Sequence, residues 1–238
     1  MAIDDYIEAF KKSVNNKKFL AHEWKFDIDN HALFVDAVYI AYLDAARTFK
    51  VIGNKKDIPL VKLSDKIRRY FKEGTAEDFD TWHKERFCEK FIVELRDNGY
   101  IASYGQAQKV VNMAFKYLYC CEGAEKYKDK FANCHMALDS FTLNWYIREV
   151  LKVDKNIVDK WSKLDDVAYK KIQTDIRNHL KGKIVIEEEF IIWPDEILIA
   201  AALEFNSTLK KIKDCNYPKH ENSKVTEVII DIKDNINS

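Results

Sequence analysis

Glycine and proline are scarce, with 6 and 3 among 238 residues. So few chain breakers exclude a glycine-rich nucleotide fold and a many-stranded β fold, and they predict long helices with short connections. The phosphate loop, the dinucleotide fingerprint and the nucleophile elbow, which need glycines at fixed spacing, are all absent. No uninterrupted apolar run reaches the roughly 18 residues that suggest a membrane span. The opening MAIDDYIEAF is acidic and reads as no signal peptide. Excess charge is missing too, with 39 basic and 39 acidic side chains. Disulfide patterning is lacking: Cys88, Cys120, Cys121, Cys134 and Cys215 are odd in number and form no C-x-x-C pair. A reduced, cytoplasmic protein is the expectation. The adjacent Cys120 and Cys121 are poorly placed for a tetrahedral metal, so no metal and no cofactor are expected.

What is present is a chain with material for a large core. Hydrophobic residues make up 47% and aromatics 13%, too much apolar content for disorder. The charges are segregated. Lys50 to Lys72 holds eight Lys or Arg against two Asp, and Lys11–Lys25 and Lys152–Lys183 are also basic. A neutral protein can therefore carry a basic face.

Periodicity predicts an all-α, multi-helix fold, a single domain over 1–238 or two lobes sharing one core, with a minor β element near the C-terminus. Asp4–Val14 makes a short first helix. HALFVDAVYIAYLDAARTF, His31–Phe49, is a central buried helix with Asn30 as its N-cap. VIGNKKDIP is a loop. Leu60–Phe71 is a basic amphipathic helix. Thr75 and the acids after it start a helix that Gly99 ends. Helices follow over 106–121 and 139–152, and Asp165 or Asp166 caps another toward Leu180. KIVIEEEFIIW is ambiguous between strand and extended chain. Pro194 fits a helix start, and Lys224–Ile232 fits a strand or a short helix.

The chemistry centres on YGQAQKVVNMAFKYLY, Tyr104–Tyr119. Val110, Val111, Ala114, Phe115 and Leu118 form an apolar arc, and Lys109, Asn112 and Lys116 form a polar stripe beside it at spacings of three and four. For most helices such a stripe faces water. Here the tight SYGQ start places Lys109 near the N-terminus, where the positive dipole end favours a neutral amine, the form that nucleophilic lysine chemistry requires. Then CHMALDSFTLNWY places Asp139 before the first turn of the next helix, a natural N-cap.

In their order and separation these segments resemble helix–hairpin–helix DNA glycosylases, including the archaeal 8-oxoguanine branch and, more distantly, antiviral glycosylases that strip modified bases. The resemblance covers about fifty residues, 103–146. It implies a hairpin leading into a helix whose Lys109 is the nucleophile, followed by Asp139 as the essential carboxylate that steadies positive charge on the sugar or takes a proton. The partner it implies is DNA, and the reaction is excision of a modified or damaged base after flipping. Trp82, Tyr104, Trp145 and Tyr146 are candidates to hold the base. Gln106, Asn112, Lys116 and His135 are candidates for neighbouring substrate contacts. The sequence departs from the family where SYGQAQK carries one glycine and MAL precedes the aspartate without proline. The alternative is a non-catalytic helical binding module, in which the stripe is a contact face and Asp139 only a cap.

Overall fold

The computed structural model describes residues 2–15, 24–52, 57–153 and 158–214. They are mostly helical, and the all-α expectation holds. The chain divides into two compact units, 1–197 and 198–238. In chain order the elements are α1 (Ile3–Asn15), α2 (His31–Ala45), β1 (Lys50–Val51), α3 (Leu60–Glu73), α4 (Phe79–Thr81), α5 (Glu89–Asp97), β2 (Tyr100–Ile101), α6 (Tyr104–Tyr119), α7 (Lys128–Phe131), α8 (Ser140–Trp145), α9 (Asp166–Leu180) and α10 (Val185–Asp214). The predicted element at Lys224–Ile232 lies outside the described residues.

Helix α6 is the axis of the first unit. Every residue from Tyr104 to Leu118 is buried. It packs against α2, which also packs on α3. Helix α2 buries Leu33, Phe34, Ala37, Val38, Ile40, Ala41 and Ala45, leaves Tyr39 exposed, and is capped by Asn30, which accepts the Leu33 N–H. Around these helices, Phe34, Tyr70, Phe71, Phe79, Phe87, Phe115 and Phe131 are all 2% exposed or less and meet largely edge-on.

Three features depart from the sequence expectations. Residues 82–88 and 146–151 form π-helical turns inside helices that simple periodicity draws as regular. Lys50–Val51 pairs antiparallel with Tyr100–Ile101, a short ribbon whose Val51 opens the stretch expected to be loop. The stretch after Lys183 is helix, not strand or extended chain, and Pro194 stands inside α10 and not at its start. The acids Glu187 and Glu188 in the first turn favour that N-terminus through the dipole. The burial of Val185, Ile186 and Phe190 then supplies the tertiary support that a short apolar run cannot reveal. In the second unit, the described residues are the C-terminal stretch of this helix, where Leu198, Leu203 and Phe205 are exposed.

Among the described residues, no helix is long and apolar enough to cross a membrane.

Candidate functional site

Ser103 starts α6. Its hydroxyl accepts the Gln106 N–H at 3.1 Å, and the Gln106 side chain accepts the Ser103 N–H at 2.8 Å, a closed capping box. Gly105 follows, and its N–H donates to Leu164 O at 2.9 Å. A Cβ on Gly105 would stand 1.8 Å from Trp161 O, so the single glycine of the SYGQ stretch serves close packing of the Trp161 turn on α6. Lys109 is consequently in the second turn of the helix. The unpaired N–H donors end before it, so the dipole argument for a neutral amine does not reach this residue.

Lys109 meets Asp139. Its Nζ lies 2.7 Å from Asp139 Oδ2, with side chains 8% and 12% exposed. Asp139 caps α8 as expected. Its Oδ1 accepts N–H bonds from Phe141 at 2.8 Å and Thr142 at 3.0 Å, and Thr142 Oγ1 accepts the Asp139 N–H at 2.9 Å. The two carboxylate oxygens thus have separate roles. Oδ1 is tied to backbone, while Oδ2 faces Lys109 and also accepts Trp193 Nε1–H at 3.2 Å. Burial opposes ionisation of Asp139, but the Lys109 ammonium and the backbone donors outweigh it, and the carboxyl sits below its usual range.

The pair lines a hollow of about 180 Å³, walled by Phe10, Phe141, Trp161 and Trp193 and bordered by Asp44 and Arg47. The Lys109 ammonium lies 5.9 Å from the centre of the Trp161 ring. This arrangement offers an amine, an oriented carboxylate one proton transfer away, and aromatic walls. Among the described residues no group of three or more His, Cys, Asp or Glu side chains is placed to hold a metal ion.

The other sequence candidates scatter. Lys116 points to a sealed site, where Nζ pairs with Glu189 Oε1 at 2.8 Å and both side chains are 2% exposed. Its edge also lines the hollow. Gln106 is spent on its cap and on donating to Thr48 O. Asn112, on the same stripe, joins a different cluster, donating to Tyr169 OH at 2.8 Å and accepting from His83 Nε2 at 2.9 Å. Tyr104 and His135 belong to that same cluster, through His83 and Tyr169. Trp82 packs on Tyr70 and Phe87 beside a separate groove. Trp145 lies edge-on to His179 at 5.7 Å. Tyr146 OH donates to Asp175 at 2.7 Å. None of these aromatic candidates enters the Lys109–Asp139 hollow, because the chain fold, not the helix order, decides which rings arrive there. The rings that do arrive, Trp161, Trp193, Phe141 and Phe10, carry no local signal beyond being large and apolar in helical or capped stretches.

No family model matches the chain, and neither a curated protein nor a solved structure matches it.

Proposed function

We propose that the protein is a DNA N-glycosylase that removes a modified or damaged base, with Lys109 and Asp139 as its catalytic pair. The observation that supports this reading is the 2.7 Å contact between an amine and an N-capping carboxylate, from helices thirty residues apart in sequence, at an aromatic-walled hollow. The target nucleotide leaves the stack and enters the hollow. Lys109 transfers a proton to Asp139 Oδ2, and the neutral amine attacks the sugar C1′. The glycosidic C–N bond breaks and its electron pair leaves with the base, which takes up a proton. Ring opening then gives an imine between Lys109 and the sugar, from which strand cleavage can proceed. Once protonated, Asp139 is neutral and returns that proton to the departing base or to the opening ring oxygen; where it stays ionised, it instead steadies the positive charge that builds on the sugar. Where Lys109 does not attack, Asp139 takes the proton of a water instead, and base loss occurs without cleavage.

A second reading is a non-catalytic helical module. It is favoured by the Lys116–Glu189 pair, which uses the same chemistry on the same helix in a sealed position. One experiment separates the two. The protein is incubated with duplex and single-stranded DNAs carrying abasic sites or oxidised, deaminated or modified bases, and the reaction is quenched with borohydride. The glycosylase reading expects a covalent adduct that Lys109→Ala abolishes. An absence of both adduct and base release across the panel leaves the binding module.

A further inference from the structure

A cleft of about 690 Å³ separates residues 80–85 from α9, and neither Lys109 nor Asp139 lines it. Its volume falls in the range that holds a small organic ligand. The floor is made of four rings, His83, Tyr104, His135 and Tyr169, each at most 9% exposed. His83 and Tyr169 stack at 5.2 Å with a 10° tilt. The floor is fixed by its own bonds. His135 Nδ1 meets Tyr169 OH at 2.8 Å and its Nε2 meets Asp80 at 2.8 Å, while His83 reaches Asn112 at 2.9 Å and Tyr104 at 3.2 Å. Burial, only partly offset by Asp80, lowers His135 to about 4, and burial holds His83 well below its ordinary value. At neutral pH the floor is therefore uncharged.

The walls carry matched charges. Arg177 holds Asp80 with two bonds of 2.8 and 3.0 Å, Lys84 holds Asp166 at 2.6 Å, and Lys171 holds Asp175 at 2.7 Å. These pairs leave the rim residues Glu85 and Lys170 without an ionic partner among the described residues. We propose that this cleft is a binding site for a nucleoside, whose uncharged base lies on the ring floor and whose sugar hydroxyls reach Glu85 and Lys170. A carboxylate accepts two hydrogen bonds from a vicinal diol, and an ammonium donates to hydroxyl oxygen. A purely apolar ligand would cover these two charges without replacing their water. An anion gains no net attraction from cations that already face an equal number of carboxylates. The site is independent of the Lys109–Asp139 reading.

The test titrates the full chain with adenosine, guanosine, cytidine and uridine in turn, following the ring nitrogen–proton signals of His83 and His135. Indole and adenosine monophosphate serve as comparators. At least one nucleoside is expected to shift both histidines saturably in the millimolar range or below. Val167→Trp and Thr174→Trp, which fill the cleft from its exposed wall, are each expected to weaken that binding about tenfold without lowering the melting temperature. Glu85→Gln is expected to weaken it a few-fold. Borohydride trapping at Lys109 should be unchanged in all three variants, so failure here and failure of the glycosylase reading are distinguishable. Silence of both histidines toward every nucleoside, tighter binding of indole or of the monophosphate, or binding indifferent to both tryptophans overturns the proposal.

Discussion

Two lysines one heptad apart on the same buried helix end in different surroundings. Lys116 is sealed with Glu189, and its ammonium sits among Phe10, Phe190 and Trp193 at 4.6 to 5.8 Å. Glu189 uses its second oxygen to accept the Ala137 N–H at 2.8 Å. Lys109 forms an ion pair of similar length, but its carboxylate heads a helix and itself lines the hollow, which Glu189 does not. The first arrangement fixes how α6, α10 and the chain before α8 meet. The second leaves an amine and a carboxylate oxygen within reach of a ligand. An identical pair of charges is thus structural or available for chemistry according to what closes over it, since removing water raises both the strength of the pair and the penalty for breaking it.

The comparison is broken most severely at the sealed pair. Lys116→Met strands the Glu189 carboxylate and is expected to cost about 3–5 kcal/mol, read as a lower denaturant midpoint. Replacing Glu189 with Met in the same chain should recover only part of that loss, because the Ala137 N–H then lacks its acceptor; equal destabilisation in the double variant would contradict a stranded carboxylate as the cause. Next comes the histidine cluster behind α6. The folded value of His135 is depressed to about 4, so below the unfolded value of about 6.5 the unfolded state binds more protons. Its contribution is fully present above pH 6.5 and is lost as pH falls toward 4, on the order of 3 kcal/mol. His135→Gln should flatten that slope in pH-dependent unfolding, and an unchanged slope would assign the acid loss elsewhere.

Smaller effects sharpen the site. Gly105→Ala forces Trp161 away from α6 and should cost about 1–3 kcal/mol through overpacking, with trapping of DNA reduced while the Lys116 pair stays intact. Lys109→Met is expected to cost about 1–3 kcal/mol, because Asp139 keeps its backbone donors and Trp193, yet it should remove the covalent adduct entirely. A variant that still forms the adduct would displace Lys109 as nucleophile. Trp193→Phe deletes the indole N–H donor to the ionised Asp139 Oδ2 and should cost about 1.5 kcal/mol, with slower base release at unchanged cleavage of the abasic product.

Much of the fold was legible. Asn30, Asp139 and Asp165 were each readable as caps because a short polar side chain before an apolar periodic run has a local task. The stripe of Lys109, Asn112 and Lys116 was also visible, and their burial has a physical reason: α6 has no wet face, so each polar group needs a partner brought by another element. Those partners were not legible. Glu189 stood in a segment read as strand or extended chain, and it became a ligand of Lys116 only when that segment coiled into α10. The tryptophans illustrate the same limit. Trp82 and Trp145 lay near the motifs and were natural candidates, while Trp161 and Trp193 wall the hollow.

The sequence by itself determined most of the helices and most of their caps, because these depend on periodicity and on hydrogen bonds a few residues long. Only the tertiary structure decided that Lys109 meets Asp139, which carboxylate is sealed and which lines a hollow, which aromatic rings surround it, and that a second cleft opens between residues 80–85 and α9. Burial and charge pairing are properties of the surroundings, and those surroundings come from residues far apart in the chain.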